Sequence, residues 1–185
     1  MVNEILAETK VEMEKAVEVF RREVGTVRTG RANATLLDSV RVEYYGNQVP
    51  VNQVATISVP EPRLIVLQPF DKSVIGELEK AIQSSSLGLN PSNDGNLVRL
   101  PIPQLTEERR MELVKVVRGM GEDCRVSVRN HRRDANDLLK AGQKDGDIPE
   151  DEAKRGADQT QKLTDEYVKK IEGLLVEKEV EILEV

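Results

Sequence analysis

Three long segments of this chain place apolar residues at steps of three and four, and this rhythm constrains the fold more than any other feature. Each segment predicts an amphipathic helix with one buried stripe. The predicted helices cover residues 2–28, 106–142 and 150–184. None of them is stable alone in water, because each apolar stripe needs a partner surface. The simplest arrangement that buries all three stripes is an antiparallel three-helix bundle.

The chain between the first two helices has a different pattern. From about residue 36 to 68 β-branched residues are frequent, and glycine and proline interrupt short alternating runs. This pattern predicts short strands joined by turns. The stretch "DKSVIGELEKAIQSS" predicts a short helix with Asp71 as its N-cap. Residues 31–103 are therefore interpreted as a small α+β domain inserted between the first and second long helices.

The predicted fold class is thus α+β, with two domains. The bundle comprises residues 1–30 and 104–185, and the inserted domain comprises residues 31–103. Two short connections join the domains, one containing glycine and the other bordered by prolines, and such a pair predicts a two-stranded hinge. The hinge residues are Gly30, Arg31, Pro103 and Gln104.

The composition limits where the protein works. A single cysteine excludes an internal disulfide framework and favours a reducing compartment. No apolar run approaches the roughly 20 residues of a membrane span. The N-terminus has acidic residues and a helical rhythm instead of a signal peptide. We therefore expect a soluble, cytoplasmic protein.

The charge is unevenly distributed along the chain, whose net charge is −6. Residues 147–185 hold 6 basic and 12 acidic side chains, so most of the negative charge lies on the third long helix. Residues 104–146 hold 10 basic and 8 acidic side chains and form the only positive segment. The second long helix is therefore the candidate for contact with a polyanion.

One face of that helix is basic when its residues are projected at 100° per residue. The basic ridge, as we call this face, lies within about 60° of Arg129. It consists of Lys115, Arg118, Arg125, Arg129, Arg132, Arg133 and Lys140. Glu122 and Asn136 share this face, and the sequence predicts a ridge nearly free of compensating acids. The opposite side carries apolar residues, including Leu113, Met120, Cys124 and Leu138.

Charged runs are usually solvated helix faces, and this ridge has two features that argue for more. Its centre is arginine, whose planar fork suits bidentate phosphate contacts and base stacking. A narrow basic ridge on an acidic body also suits one specific polyanion, such as structured RNA. The alternative is a helical adaptor whose ridge meets the acidic surface of a protein partner.

No motif indicates catalysis or a metal site. The chain lacks a Gly-rich phosphate loop with Lys-Ser/Thr, an H-E-x-x-H sequence and paired cysteines. His131 projects about 160° from Arg129, toward the apolar side, which favours a packed or boundary residue. Cys124 is expected to be a small core residue. We therefore expect no enzymatic activity, no cofactor and no metal.

Several separated motifs carry a resemblance to a known family. They are "VRTGRA", "LLDSVRVEYYG", "AIQSSSLGLNPSNDGNLVRLPIPQLTEERR" and "VRNHRRDAND". In order and spacing they resemble the bacterial ribosome recycling factor family, from about residue 2 to 184. The resemblance implies an L-shaped monomer whose short arm is a β/α/β sandwich. It also implies a factor that binds large-subunit ribosomal RNA after termination. With elongation factor G and GTP, such a factor separates the ribosome into subunits.

The resemblance also assigns RNA-binding residues. The family's contacts fall on the arginines of "VRNxRR", with a second patch in "RTGRA" and a third in "TEERR". Together with the ridge, the predicted RNA-binding residues are Arg129, Arg132, Arg133, Arg125, Arg28, Arg31, Arg109 and Arg110. His131 departs from the family, which usually has an aliphatic residue there. No membrane and no small-molecule substrate are implied.

Overall fold

The computed structural model describes residues 1–184. Four α-helices and six strands follow one another along the chain. They are α1 (Val2–Thr26), β1 (Arg41–Tyr44), β2 (Asn47–Pro50), β3 (Ala55–Glu61), β4 (Leu64–Pro69), α2 (Ile75–Ser84), β5 (Ser92–Asn93), β6 (Val98–Pro101), α3 (Glu107–Asp145) and α4 (Glu150–Leu183). The predicted α+β class is confirmed. Within residues 1–184, no helix is long and apolar enough to cross a membrane.

The chain divides into two compact units. The first, the bundle unit, joins Met1–Arg28 to Glu107–Val185. The second, the inserted unit, is Thr29–Thr106.

The bundle unit consists of the three long helices α1, α3 and α4, each of which contacts the other two. Their apolar stripes meet in an aliphatic core with few aromatic side chains. Its fully buried members include Met13, Val17, Phe20, Val117, Val128, Leu139, Tyr167, Ile171 and Ile182. Burial of these stripes stabilises helices that would be marginal alone.

The register of α3 near its C-terminus differs from the prediction. Leu138 is 53% exposed, whereas Leu139 is 2% exposed and packs with Ala135 in the core. A real helix turns every 3.6 residues, so the buried position after Ala135 falls four residues on instead of three. The prediction that Leu138 belongs to the buried stripe is therefore wrong.

The loop between α3 and α4 is tightly packed against the end of α3. Gly146 has a φ of +84°, a left-handed conformation that favours glycine and ends the helix three residues later than predicted. A Cβ added at Gly142 would lie 2.6 Å from Ile148 Cδ1, so only glycine fits there without a shift. Pro149 immediately precedes α4 and fixes an extended backbone at its N-cap.

The inserted unit contains two antiparallel sheets and one short helix. Strands β3, β4, β6 and β5 form a four-stranded sheet in that order, and β1 pairs with β2. The helix α2 buries Ile75, Leu78 and Ile82 in the core of this unit. The predicted N-cap is confirmed: Asp71 Oδ1 accepts a hydrogen bond from Ser73 N at 2.9 Å, at the 3-10 turn that leads into α2.

Both chain segments that enter and leave the inserted unit are anchored on the turn between β3 and β4. The amide of Ala32 donates to Pro62 O at 2.8 Å, and the amide of Ile102 donates to Arg63 O at 2.8 Å. Gly30 has a φ of +79°, and a Cβ there would lie 3.2 Å from Leu105 Cγ. The predicted hinge residues thus lie beside two segments that are both hydrogen-bonded to the β3–β4 turn. The hinge itself stays a prediction.

Candidate nucleic-acid interface

Helix α3 gives the basic ridge a long and continuous support. Its 39 residues extend over about 58 Å at 1.5 Å per residue. Val117, Val128 and Ala135 are buried on its inner side, which leaves the ridge along the edge that borders α4. The structure therefore brings Arg125, Arg129, Arg132 and Arg133 together on two turns of one helix.

Helix α4 supplies acidic partners that the sequence analysis did not predict for the ridge. Arg118 Nε donates to Glu179 Oε1 at 2.6 Å, and its Nη2 donates to Oε2 at 3.3 Å. Arg125 Nη1 donates to Glu172 Oε1 at 2.8 Å. The prediction of a ridge nearly free of compensating acids is therefore wrong, because the neighbouring helix contributes them.

These pairs give Arg125 a structural role. Its side chain is only 19% exposed, since it lies between Glu172 on α4 and Glu122 on α3. Its guanidinium connects the two helices through charge-assisted hydrogen bonds, which are stronger than neutral ones. Arg125 thus fixes the edge of the ridge and offers less surface to a ligand than its neighbours.

Glu122 is the acid at the centre of the ridge. Its Oε1 accepts a hydrogen bond from Arg129 Nη2 at 2.6 Å, and its Oε2 accepts one from Arg125 Nε at 3.0 Å. The hydrogen bond from Arg129, and then the one from Arg125, hold the pKa of the Glu122 carboxyl below its ordinary value. Glu122 is therefore ionised at neutral pH and partly neutralises two ridge arginines.

Arg132 and Arg133 have different surroundings. Arg132 Nη1 donates to Gln161 Oε1 at 3.1 Å, and Gln161 Nε2 in turn donates to Asp165 Oδ1 at 2.8 Å. Arg133 is exposed, and within residues 1–184 its side chain makes no ion pair or hydrogen bond. Arg133 is thus the ridge arginine most available to an incoming anion.

The remaining predicted arginines lie away from the ridge centre. Arg109 Nη1 donates to Glu112 Oε2 at 2.8 Å, and Arg110 is half-buried beside it. Both lie on the first turn of α3, about 24 Å along the helix axis from Arg125. Arg28 and Arg31 are exposed and belong to different units, the bundle and the inserted unit respectively.

The histidine and the cysteine pack as predicted. His131 is half-buried, close enough to Glu12 of α1 to contribute to the low pKa of that carboxyl, whose main cause is the hydrogen bond from Lys15. Cys124 is 7% exposed, and its Sγ–H donates to Ala16 O at 3.4 Å. Burial raises the pKa of the Cys124 thiol to about 11, so the thiol is not activated.

The acids that the sequence analysis missed do leave a sequence signal. Arg118 and Arg125 are seven residues apart on α3, and their partners Glu179 and Glu172 are seven residues apart on α4. Two turns of an α-helix take about seven residues, so matching spacings on antiparallel helices indicate a ladder of pairs. The signal needs the helix register, which the sequence alone did not supply.

The arrangement as a whole suits anion binding. Guanidinium groups of Arg129, Arg132 and Arg133 border one edge of a helix, where phosphates could accept bidentate hydrogen bonds. Among the residues that the structure describes, no three His, Cys, Asp or Glu side chains are placed to hold a metal ion.

Comparisons with known proteins agree on one family. The family model described as "Ribosome recycling factor" matches residues 20–183. The chain is 57% identical to the ribosome-recycling factor of Bacillus pumilus and 56% identical to that of Bacillus subtilis. Each match covers 100% of both chains.

Two solved structures are similar to this chain over its whole length. One is a solution structure of the ribosome recycling factor, with a TM-score of 0.76 and 43% identity over 98% of that chain. The other describes the T. thermophilus ribosome recycling factor and the E. coli elongation factor G bound to the E. coli post-termination complex. Its matching chain is covered completely, with a TM-score of 0.64 and 47% identity.

Proposed function

Because this chain belongs to the ribosome recycling factor family, we propose that it binds the post-termination ribosome and, with elongation factor G and GTP, promotes its separation into subunits. It is a non-enzymatic translation factor, so GTP hydrolysis belongs to its partner. The subunits are then free to be reused in translation. We infer that the protein acts in the cytoplasm, where translation terminates.

The proposed RNA interface rests on one observation: the basic ridge lies on the only positive segment of an acidic chain. We assign the centre of the contact with large-subunit ribosomal RNA to Arg129, Arg132 and Arg133. Arginine forks can follow the phosphates of structured RNA without reading its sequence. The surrounding negative charge discourages binding to arbitrary polyanions, which suits a factor with one target. Further contacts are assigned to Arg125, Arg28, Arg31, Arg109 and Arg110.

The mechanism we infer needs a stiff bundle. Tyr167 OH donates to Glu14 Oε2 at 2.6 Å and connects α4 to α1, and Arg125 connects α3 to α4. All three helices are therefore joined by polar contacts as well as by the core. Force applied to the inserted unit by elongation factor G can then act on the ribosome instead of deforming the bundle.

Ribosome binding by arginine variants tests the interface. We expect Arg133→Ala and Arg132→Ala each to weaken binding about five- to tenfold and to lower the salt slope of log K by about one. Arg155→Ala on α4 is the matched control, because Arg155 is exposed and outside the ridge. Far-UV circular dichroism verifies that the helix content is unchanged. Equal ribosome affinity of all three variants would exclude the ridge as the anchor. A wild-type chain that does not co-sediment with ribosomes would favour the adaptor alternative.

We also propose that the two connections around Gly30, Arg31, Pro103 and Gln104 act as the hinge through which the inserted unit responds to elongation factor G. Support comes from the shared anchor of both segments on the β3–β4 turn, which makes them a neighbouring pair. A disulfide engineered between the two connections should preserve ribosome binding and slow subunit separation, and reduction should restore the rate. Full splitting activity of the oxidised form would refute the hinge.

A further inference from the structure

The position of Glu122 on the ridge has a functional consequence. Its two carboxylate oxygens each accept one guanidinium hydrogen bond, from Arg129 at 2.6 Å and from Arg125 at 3.0 Å. A carboxylate and a phosphate use the same planar donors of arginine, in the same fork geometry. Glu122 therefore occupies donors that an RNA phosphate would otherwise use.

We propose that Glu122 is a built-in competitor for RNA phosphate, which lowers the affinity of the ridge for any polyanion and so sharpens its selectivity for a surface that engages several arginines at once. This inference rests on the proposed ribosome-binding function and deepens it. The ligand that displaces Glu122 is a phosphate of structured RNA, held by Arg129.

The two arginines beside Glu122 respond differently to such a ligand. Arg125 keeps its partner Glu172, 2.8 Å away on α4, when Glu122 turns aside, so it remains fixed in the α3–α4 edge. The Arg129 side chain is 40% exposed, and Glu122 is its only ion-pair partner among residues 1–184. Arg129 is therefore the residue that exchanges a carboxylate for a phosphate.

Arg133 differs from Arg129 because no carboxylate has to be displaced from it. It is exposed and, in the described part of the chain, unpaired. Contact with Arg133 needs no displacement, whereas contact with Arg129 does. A polyanion that meets only one ridge arginine gains little, and one that spans both gains enough to displace Glu122.

Glu122 also orients Arg129, and this effect opposes competition. The side chains of Glu122 and Arg129 are about half exposed, at 52% and 40%. Orienting Arg129 therefore contributes little, in line with the small values measured for surface ion pairs. A negative charge beside an incoming phosphate, in contrast, acts on every ligand that reaches the site. Competition therefore outweighs positioning, which sets the sign of the expected effect.

The test compares Glu122→Gln with Asp123→Asn. Glutamine keeps the length of Glu122 and one acceptor oxygen, but it removes the charge and replaces the second acceptor oxygen with an NH2 group. Asp123 is the matched control, because it is exposed on the same turn of α3 but off the ridge, so Asp123→Asn changes the net charge by the same amount. Both variants are measured with the full chain for ribosome binding and for retention on heparin, between about 100 and 300 mM salt.

We expect Glu122→Gln to bind ribosomes about two- to fivefold more tightly than Asp123→Asn, the range of one exposed ion pair. It should also elute later from heparin and show a salt slope steeper by up to about one. Equal behaviour of the two variants, or weaker binding by Glu122→Gln, would overturn the inference.

Arg133→Ala separates the two proposals. If Arg133→Ala leaves ribosome affinity unchanged, the ridge assignment itself fails, whereas a weakening by Arg133→Ala without an effect of Glu122→Gln refutes only the competitor role.

Discussion

Replacement of Tyr167 by phenylalanine removes a single polar contact between α1 and α4. The ring of Tyr167 is fully buried, and its hydroxyl donates to Glu14 Oε2 at 2.6 Å. Lys170 Nζ lies 4.4 Å from the centre of the same ring and 3.6 Å from Glu14 Oε2. Phenylalanine fills the same space, so Tyr167→Phe isolates the hydroxyl from the packing of the ring.

The expected loss of stability follows from the nature of the acceptor. A hydrogen bond to a charged group contributes about 1.5–3 kcal/mol to folding. Glu14 is only half-buried and regains water when the hydroxyl is lost, so the lower end applies. We expect Tyr167→Phe to lower the free energy of unfolding by about 1.5 kcal/mol. For a chain of 185 residues this corresponds to a fall in Tm of roughly 3–6 °C.

The loss should depend on pH with a defined sign. The hydrogen bond from Tyr167 is the main reason why the pKa of Glu14 lies below its ordinary value of 4.5. A carboxyl whose pKa is lowered by folding contributes stability above its unfolded pKa and loses it as the pH falls through the folded pKa. The difference between wild type and Tyr167→Phe should therefore be full at pH 7 and shrink below about pH 4.5.

Chemical denaturation followed by far-UV circular dichroism measures this effect on the helices. Tyr45→Phe is the matched control, because Tyr45 is 80% exposed and should change stability by less than about 0.5 kcal/mol. An equal loss for Tyr167→Phe at pH 7 and pH 3 would refute the charged hydrogen bond. No loss at either pH would refute the contact between α1 and α4 itself.

Two further predictions concern the bundle core. Burial raises the pKa of the Cys124 thiol to about 11. We therefore expect Cys124 to react with a thiol reagent at pH 8 far more slowly than a free thiol does, and rapidly after unfolding. A fast reaction in the native state would contradict the burial of Cys124. Gly142→Ala places a Cβ 2.6 Å from Ile148 and should lower the free energy of unfolding by about 1–3 kcal/mol. Gly25→Ala, where the space around the Cβ is open, should stabilise α1 by about 0.5–1 kcal/mol. Equal stability of the two variants in thermal unfolding would refute the close packing of the α3–α4 loop.

The long helices were predictable because their signal is local and repeated many times. The ends of the helices and the exact buried positions were harder to predict, because they depend on the packing of each helix against its neighbours. Leu138, which is exposed, and Leu139, which is buried, show this. The two-residue strand β5 was not predictable, since Ser92 and Asn93 have no strand propensity and pair only because β6 lies beside them. Tertiary context, not local preference, decides such elements.

The candidate interface was predictable to a similar extent. Helical projection was enough to bring Arg129, Arg132 and Arg133 to one face. It could not show that Glu172 of α4 partly covers Arg125, because that contact joins residues far apart in the chain. A helical projection describes one helix in isolation, and the exposure of a side chain also depends on the helix next to it.

The most direct test of the central claim is a subunit-splitting assay with elongation factor G and GTP. It compares the wild-type chain with the double variant Arg132→Ala/Arg133→Ala at a factor concentration below saturation. We expect the double variant to split ribosomes at least about tenfold more slowly, with the rate recovering as its concentration rises, since two phosphate contacts are lost and the fold is kept. If the double variant splits ribosomes at the wild-type rate at every concentration, the claim that the arginine ridge anchors the factor to ribosomal RNA is contradicted.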